Sequence, residues 1–345
     1  MNDHMMEEKI VPCFFSIHEQ DPSYQVSYEI TNVCNLNCQH CCNRSTANEF
    51  AGMPLERIRL LIDELADLRI NSIYLSGGEP TKYPHFNEVV DYIHGKGIDL
   101  ALATNATEID AVLPVLKTFS QTREGVFVSI DGMEATHDAF RGREGAFARS
   151  IRSVRKLLRY GVPVRISSVI WKGNVDQLED IVKFCGGLGV YKVHFSMLFD
   201  TGRAAENDVA IPVSRYAEMC RKVDALSEKY AREGFSISMK RNRILRPGCD
   251  ICHGAEKIIH INSRGYVFPC SWVSKIRLGE KYSFQWEPGN LREGLARLAD
   301  FQNLVQERVR LHGFSGCPAV AFQYHGTDTA PDPINDFLQS DAPSV

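Results

Sequence analysis

Residues 25–41 read QVSYEITNVCNLNCQHC and join a strand pattern to three closely spaced cysteines. The apolar, β-branched start of this stretch predicts a buried strand. Cys34, Cys38 and Cys41 follow within eight residues, and three thiolates at this spacing can bind three irons of a cubane cluster. The fourth iron would then lack a protein ligand, so that the amino and carboxylate groups of a substrate could chelate it.

A zinc site is the alternative interpretation of the same cysteines. Structural zinc is four-coordinate, so His40 or Cys42 would have to complete it. Cys42, which directly follows the third cysteine, could instead be a spare thiol, a hydrogen-atom donor or a small buried residue. The spacing by itself leaves these possibilities open.

Outside this stretch, strand patterns alternate with amphipathic helix patterns over the first two-thirds of the chain. Strands are predicted at Tyr24–Thr31, Ser72–Ser76, Asp99–Thr104, Val126–Ile130, Val162–Ile170 and Lys192–Phe199. Helices are predicted at about Pro54–Leu68, Phe86–His94, Ile109–Phe119, Ala146–Tyr160 and Val175–Gly187. Such β/α units in series imply parallel strands with helices outside. Six units are too few for a closed eight-stranded barrel, so we expect an α/β fold with a partial, open (β/α)6 TIM-like barrel. Its functional groups should gather at the C-terminal ends of the strands.

The composition changes near residues 235–247, after which Gly, Pro, Cys and turn residues become frequent. We therefore expect a small second domain there. The predicted regions are an N-terminal extension at 1–23, the barrel at 24–235, the small domain at 236–330 and a tail at 331–345. The residues before the first strand are too few for a separate N-terminal domain, such as one that binds the leader segment of a peptide substrate, and we do not expect one.

The bulk composition narrows the class of protein. The chain has 345 residues and a net charge of −4, so no basic excess is present to neutralise the phosphates of a nucleic acid. No apolar run is long enough for a membrane span, and no signal segment stands at the start. We therefore expect a cytoplasmic protein, in which the clustered members of its eleven cysteines are metal ligands rather than disulfides.

The cysteine spacing C-x3-C-x2-C after the first strand of a β/α series resembles the radical SAM superfamily, over roughly residues 24–200. Ser76–Pro80, SGGEP, is similar to the family's GGEP segment, which borders the methionine amino group of S-adenosylmethionine (SAM). The resemblance implies SAM contacts at Gly77, Gly78 and Glu79, and glycine permits close approach of the backbone to a ligand. A phosphate-binding loop is the alternative, but no Lys-Ser or Lys-Thr follows and Pro80 lacks an N–H.

The same resemblance implies SAM contacts at the ends of later strands. They are Thr104 and Asn105 on the third strand, Ser129 and Asp131 on the fourth, Ser168 on the fifth and Leu198 on the sixth. Ser129 and Asp131 should share a face, because strand side chains alternate. His40 stands where the family usually has an aromatic residue near adenine, and an imidazole can stack in a similar way.

A second group of cysteines comprises Cys249, Cys252, Cys270 and Cys317. The pattern around Cys270, Gly-x4-Cys, resembles the SPASM and twitch extensions of radical SAM enzymes, although the three-cysteine run and the final cysteine of a full SPASM domain are absent. The resemblance implies one auxiliary [4Fe–4S] cluster on the four thiolates. A structural zinc is the alternative. Another is a mixed site in which Cys249 or Cys252 remains free as a hydrogen-atom donor.

The resemblance also implies the chemistry. A [4Fe–4S] cluster on the first three cysteines would reduce SAM to a 5′-deoxyadenosyl radical, which takes a hydrogen atom from the substrate; a flavodoxin- or ferredoxin-type protein would supply the electron. We expect a small sugar- or aminocyclitol-derived substrate in natural-product biosynthesis, oxidised or epimerised, and a short peptide is the alternative. A ribosomal-peptide maturase is therefore the second hypothesis. A zinc-ribbon binding module or an iron–sulfur electron carrier would be a protein of another class, and neither requires the SGGEP segment.

Overall fold

The computed structural model describes residues 25–119, 125–239, 252–313 and 316–333. Its strands are β1 Gln25–Thr31, β2 Ser72–Gly77, β3 Asp99–Thr104, β4 Gly125–Ser129, β5 Val164–Ile170, β6 Lys192–Met197, β7 Ser236–Met239, β8 Ile258–Ile261, β9 Tyr266–Phe268 and β10 Phe284–Gln285. They form one sheet in the order β10-β9-β8-β1-β2-β3-β4-β5-β6-β7. From β8 to β7 every neighbouring pair is parallel, which confirms the predicted α/β architecture of an open barrel.

The first eight helices connect the strands from β1 to β7. They are α1 Leu55–Asp67, α2 Phe86–Gly95, α3 Leu113–Leu116, α4 Glu134–Arg141, α5 Ala146–Arg159, α6 Leu178–Leu188, α7 Arg203–Asn207 and α8 Tyr216–Tyr230. The helix α9 Leu278–Lys281 lies between β9 and β10, and α10 Leu291–Arg297, α11 Ala299–His312 and α12 Pro318–His325 follow β10. Short 3₁₀ turns cover Pro80–Lys82, Val213–Arg215 and Val273–Lys275. No helix within the described ranges is both long enough and apolar enough to cross a membrane.

Hydrophobic periodicity determines which face of an outer helix is buried, and proline affects where a helix begins. In α1 the buried residues are Ile58, Leu61, Ile62 and Leu65, the i, i+3, i+4, i+7 stripe of an amphipathic helix. The helix predicted from Ile109 to Phe119 is shorter in the structure. Pro114 stands in its first turn, where the missing N–H is tolerated, so α3 starts only at Leu113.

The region after β7 continues the barrel sheet. β8 pairs parallel with β1, from Gln25 opposite Ile258 to Tyr28 opposite Ile261, and β9 turns back on β8 as an antiparallel hairpin. Asp332, which lies in the segment assigned to the tail, is buried. The second half of the chain is therefore packed on the strand that leads into the first cysteine group.

Glu64 on α1 joins the barrel to this second region. Its carboxylate accepts hydrogen bonds from the indole Nε1 of Trp286 (3.2 Å) and from the backbone N–H groups of Gly289 (2.7 Å) and Leu291 (3.0 Å). Trp286 is fully buried. One side chain thus satisfies the unpaired donors at the start of α10.

We predict that Glu64→Ala lowers the free energy of unfolding by about 2–3 kcal/mol. The change leaves three N–H donors, those of Trp286, Gly289 and Leu291, without their charged acceptor. Urea unfolding of the two proteins measures the difference. The matched control is Glu56→Ala, an exposed carboxylate on the same helix that pairs with Arg59, for which we expect a change within about 0.5 kcal/mol. Equal losses for the two variants would contradict this role.

Candidate active site

The three cysteines of the first group converge beyond the end of β1. The side chains of Cys34 and Cys38 are buried together with Leu36 and Ala146, and Cys41 packs against this cluster. Each thiol accepts a hydrogen bond: Cys34 from the N–H of Leu36 (3.4 Å), Cys41 from the N–H of Ser45 (3.3 Å), and Cys38 from the guanidinium of Arg141 (3.8 Å). The structure therefore brings the three sulfurs to one buried place with donors aimed at them.

Gly77 and Gly78 support one side of this cysteine loop. The N–H of Gly78 donates to the carbonyl of Thr31, and the N–H of Glu79 donates to the carbonyl of Val33, both at 2.8 Å. A Cβ at Gly78 would meet the carbonyl oxygen of Asn32 at 2.7 Å and that of Val33 still closer. The glycines are thus required by the close approach of two backbone segments.

Arg203 and two further glycines, Gly202 and Gly142, enclose the other side of the loop. Arg203 donates to the carbonyls of Cys38 (2.7 Å), Cys41 (3.1 Å) and Ser45 (3.1 Å). A Cβ at Gly202 would lie 2.6 Å from the carbonyl oxygen of Cys41, and one at Gly142 would collide with that of Asn37. Sequence reasoning missed Arg203, because nothing local to it indicates a contact with a loop 160 residues earlier.

Burial makes the thiols of Cys34 and Cys38 poor acids in the absence of a metal. It raises the pKa of Cys34 to about 12, with Glu79 as a second cause, and it also raises the pKa of Cys38, although Arg141 opposes that shift. A bound cationic metal reverses this preference and deprotonates its thiols. Three thiols at one buried place, each with a donor aimed at its sulfur, fit a metal cluster that binds them as thiolates.

Glu79, Thr104 and Asn105 form one hydrogen-bonded unit beside the loop. The buried carboxylate of Glu79 accepts from the Thr104 hydroxyl (2.7 Å) and from the N–H of Asn105 (2.8 Å). The Asn105 amide donates to Asn35 at 2.9 Å, next to Cys34. Burial raises the pKa of Glu79, and these hydrogen bonds oppose the shift. The unit joins the ends of β2 and β3 to the cysteine loop.

Asp131 is a buried centre of polar contacts at the end of β4. Its carboxylate forms an ion pair with Arg141 and accepts from the N–H of Val169 (2.7 Å). Its own N–H donates to Nδ1 of His137 (3.1 Å). Because Arg141 also donates to Cys38, the pair links the strand end to a cysteine. Arg141 and Gly142 at the end of α4 can be read from the sequence, but the contact between Arg141 and the Cys38 thiol cannot.

Ser168 and His40 have buried polar atoms without partners in the described part of the chain. These are the Ser168 hydroxyl and Nδ1 of His40. The His40 ring stacks on Phe140 at 4.2 Å, Phe140 stacks on Trp171 at 4.0 Å, and Leu198 packs against the buried cluster that contains Phe140. Ser129 is half-buried and pairs in register with Ser167. An unpaired buried polar group is costly in a folded protein, and a polar ligand at this place would satisfy both atoms.

The second cysteine group also converges, as far as the structure describes it. Burial raises the pKa of Cys317 well above its usual value, and Asp332, Cys252 and Cys270 act in the same direction as close neighbours. The buried guanidinium of Arg308 lies in the field of Cys317 and Cys252. Cys249 lies outside the described residues.

The spacing of the ligand side chains differs between single ions and clusters. In the described ranges, no three Cys, His, Asp or Glu side chains are close enough to hold a single metal ion. In a cubane cluster each thiolate binds a different iron, so its ligands stand farther apart than those of one ion.

A buried ion pair joins the first strand to the second region of the chain. Glu29 on β1 accepts from Nζ of Lys275 (2.6 Å) and from the amide of Asn43 (2.8 Å), and Nε2 of His260 is 3.7 Å away. Burial alone would raise the pKa of Glu29, but Lys275 and His260 hold it well below its usual range. Cys42, the next residue before Asn43, has an exposed side chain. Sequence reasoning missed Glu29, although a carboxylate inside an apolar strand pattern was a usable signal.

The sequence of this chain is similar to those of several known proteins. The family model of the Radical SAM superfamily matches residues 28–185. The AdoMet-dependent heme synthase of Methanosarcina barkeri is 30% identical, over 72% of this chain and 76% of the relative. The antilisterial bacteriocin subtilosin biosynthesis protein AlbA of Bacillus subtilis is 29% identical, over 72% of this chain and 55% of the relative.

Structural similarity covers more of the chain than the family model does. The crystal structure of Streptococcus suis SuiB bound to S-adenosylmethionine superposes with a TM-score of 0.72 and covers 90% of this chain and 77% of that one. Only 14% of the aligned residues are identical, so this likeness concerns the fold.

We predict that Gly78→Ala prevents the cysteine loop from closing, because the added Cβ collides with backbone carbonyls that cannot move away. After anaerobic reconstitution, iron per chain should fall to less than half of the wild-type value. Gly95→Ala is the control, since nothing lies within 4 Å of a Cβ there. An unchanged iron content in Gly78→Ala would contradict the prediction.

A third prediction concerns pH. Burial, assisted by Arg141, lowers the pKa of His137 to about 3, against about 6.5 in an unfolded chain. Between these values the unfolded state binds a proton that the folded state does not, so the stability contributed at neutral pH is lost as pH falls through this window. From pH 7 to pH 5 the unfolding free energy of the metal-free protein should fall by about 2 kcal/mol more than that of His137→Gln. Parallel pH profiles in denaturant titrations would show that His137 is not the cause.

Proposed function

Because this chain belongs to the radical SAM superfamily, we propose that Cys34, Cys38 and Cys41 hold a [4Fe–4S] cluster on which SAM is cleaved reductively. When bound, the cluster and SAM supply one electron and a 5′-deoxyadenosyl radical that removes a hydrogen atom from the substrate. The observation that carries the proposal is the convergence of the three thiols in one buried cluster at the C-terminal end of β1.

The residues around the thiols would hold and orient SAM. Among the sequence-predicted contacts, Ser168 and His40 offer buried hydrogen-bonding atoms that no described residue occupies. Glu79 and Asp131 already make several hydrogen bonds each, so their first task is to hold the strand ends. The cysteine loop, with Arg141 and Arg203 over it, would exclude water from the reacting groups.

The second cysteine group would hold an auxiliary [4Fe–4S] cluster on Cys249, Cys252, Cys270 and Cys317, in a SPASM- or twitch-like domain. The three described thiols lie close to one another and to the buried cation of Arg308, which would offset the negative charge of a thiolate-bound cluster. Such a cluster could accept an electron from the substrate radical, so we expect a net oxidation of the substrate. Epimerisation is the alternative.

The substrate we propose is a side chain of a ribosomal peptide. The relatives shift the proposal away from the sugar or aminocyclitol that we expected, because they act in the biosynthesis of a bacteriocin and of heme. A second candidate is a tetrapyrrole, which is favoured by the 30% identity to a heme synthase over 72% of this chain.

Iron counting and SAM cleavage test the two cluster assignments together. We expect about eight irons per chain in the wild type, falling to about four in the variant with Cys34, Cys38 and Cys41 changed to Ala. That variant should form no 5′-deoxyadenosine. Cys270→Ala should also retain about four irons, but it should still cleave SAM. About four irons and one zinc per chain in the wild type, with the zinc lost in Cys270→Ala, would instead identify a structural zinc in the second group.

Cys42→Ala is the matched control, because this thiol adjoins the ligands without belonging to them. It should keep the full iron content and the full rate of 5′-deoxyadenosine formation. A loss of iron in Cys42→Ala, or SAM cleavage by the triple variant, would refute the ligand assignment.

The substrate is tested by co-expression with peptides encoded beside its gene, followed by mass spectrometry. Loss of two hydrogen atoms indicates oxidation or cross-linking, whereas deuterium uptake from heavy water without another mass change indicates epimerisation. Conversion of a tetrapyrrole propionate, with all such peptides unchanged, would replace the peptide by the second candidate.

A further inference from the structure

A groove of about 540 Å³ runs along the outer face of the barrel between α5 and α6. Its floor is apolar and includes Phe147, Ile151 and Phe184. Its rim carries the basic side chains of Arg152, Arg155, Lys156 and Arg159, with Glu134 at the end where α5 begins. Neither the cysteine chemistry nor the barrel packing explains this combination.

The positive charge on the rim is largely uncompensated. Arg152, Arg155 and Arg159 are exposed, and within the described ranges no carboxylate lies at ion-pair distance from them; Lys156 pairs with Asp110. Spacings of three and four residues place the three arginines along one side of the helix. This is a local basic surface on a chain whose net charge is −4, so it favours an acidic partner.

One end of the groove adjoins the first cysteine group. Ala146, the first residue of α5, is packed with Cys34 and Cys38, and the next residue, Phe147, lies on the groove floor. The carboxylate of Asp138 accepts from the N–H groups of Gly145 (2.6 Å) and Phe147 (2.7 Å) and so holds the start of the helix in place. A protein seated in the groove would thus lie one residue away from the shell of the thiols.

We propose that this groove is the docking surface for a small acidic protein that carries one electron at low potential. The proposal rests on the proposed function, since the electron is the one that the cluster on Cys34, Cys38 and Cys41 requires. The carrier is oxidised by one electron, the cluster is reduced by one, and no proton or covalent bond changes. An acidic segment of a substrate peptide would match the charge equally well, but the reacting side chain of a substrate must reach the buried thiols, whereas the groove lies on the outer face of the helices. An electron can cross the intervening protein without such access.

The test compares two reductants with the reconstituted holoenzyme. Initial rates of 5′-deoxyadenosine formation are measured with a bacterial flavodoxin kept reduced by its reductase and NADPH, and separately with dithionite, which is too small to need a docking surface. The variant is Arg152→Ser, Arg155→Ser and Arg159→Ser together. The matched control is Arg292→Ser, Arg297→Ser and Arg310→Ser, three exposed arginines on α10 and α11.

We expect the flavodoxin-driven rate to fall at least about tenfold in the α5 variant, through weaker association, while its dithionite-driven rate and iron content stay unchanged. The control variant should keep both rates. The wild-type flavodoxin-driven rate should also fall between about 0.05 M and about 0.5 M salt, and this dependence should be weaker in the α5 variant.

Three outcomes would overturn the proposal. In the first, the α5 variant and the wild type have equal flavodoxin-driven rates. In the second, the α5 variant loses the same fraction of its rate with both reductants. In the third, the flavodoxin-driven rate of the α5 variant is unchanged, but the variant binds a substrate peptide more weakly than the wild type does. The last would assign the groove to the peptide. Failure of the wild type to cleave SAM with dithionite would instead refute the proposed function, so the two failures are distinguishable.

Discussion

The close approach of two backbone segments, Gly77–Gly78 and Thr31–Val33, holds the reactive end of this barrel together. Only glycine leaves room for it, since a Cβ at either position would strike a carbonyl group. The resulting N–H to carbonyl bonds fix the chain just before Cys34. The loop is therefore positioned by main-chain contacts, and its sulfurs can face inward without having to order the loop themselves. A preorganised ligand set of this kind binds its group at lower entropic cost.

Buried charge is the second constraint on the site. Two carboxylates, Glu79 after β2 and Asp131 after β4, are almost fully excluded from solvent. Glu79 is satisfied by hydroxyl and backbone donors, whereas Asp131 is satisfied by Arg141 and a backbone N–H. A buried charge is tolerated only when it is paired and hydrogen-bonded. These contacts tie β2, β3, β4 and β5 to the cysteine loop, so the groups that surround the thiols also hold the strand ends in register.

The two cysteine groups share one frame because β8 pairs with β1. That pairing brings His260 and Lys275, which belong to the second half of the chain, against Glu29 of the first strand. The ion pair lies beside Asn43, in the loop of the first cysteine group, and Lys275 follows Cys270 by five residues. The pairing of β8 with β1 therefore places charged residues of the second region beside the loop of the first cysteine group.

Local periodicity made the architecture predictable. The strand patterns at Ser72, Asp99 and Lys192 begin where β2, β3 and β6 begin in the structure, because alternation and amphipathic stripes are properties of contiguous residues. The family, too, was evident from motifs within single segments: the three cysteines and the SGGEP stretch. Contacts between distant segments were not evident. Arg203 on the cysteine loop, Arg141 on Cys38, Lys275 on Glu29 and the groove beside α5 each join residues that are far apart in the chain. The sequence alone thus determined the elements, the barrel and the thiols, whereas the tertiary structure decided which charges surround them, because burial and pairing of a charge depend on neighbours that only folding brings together.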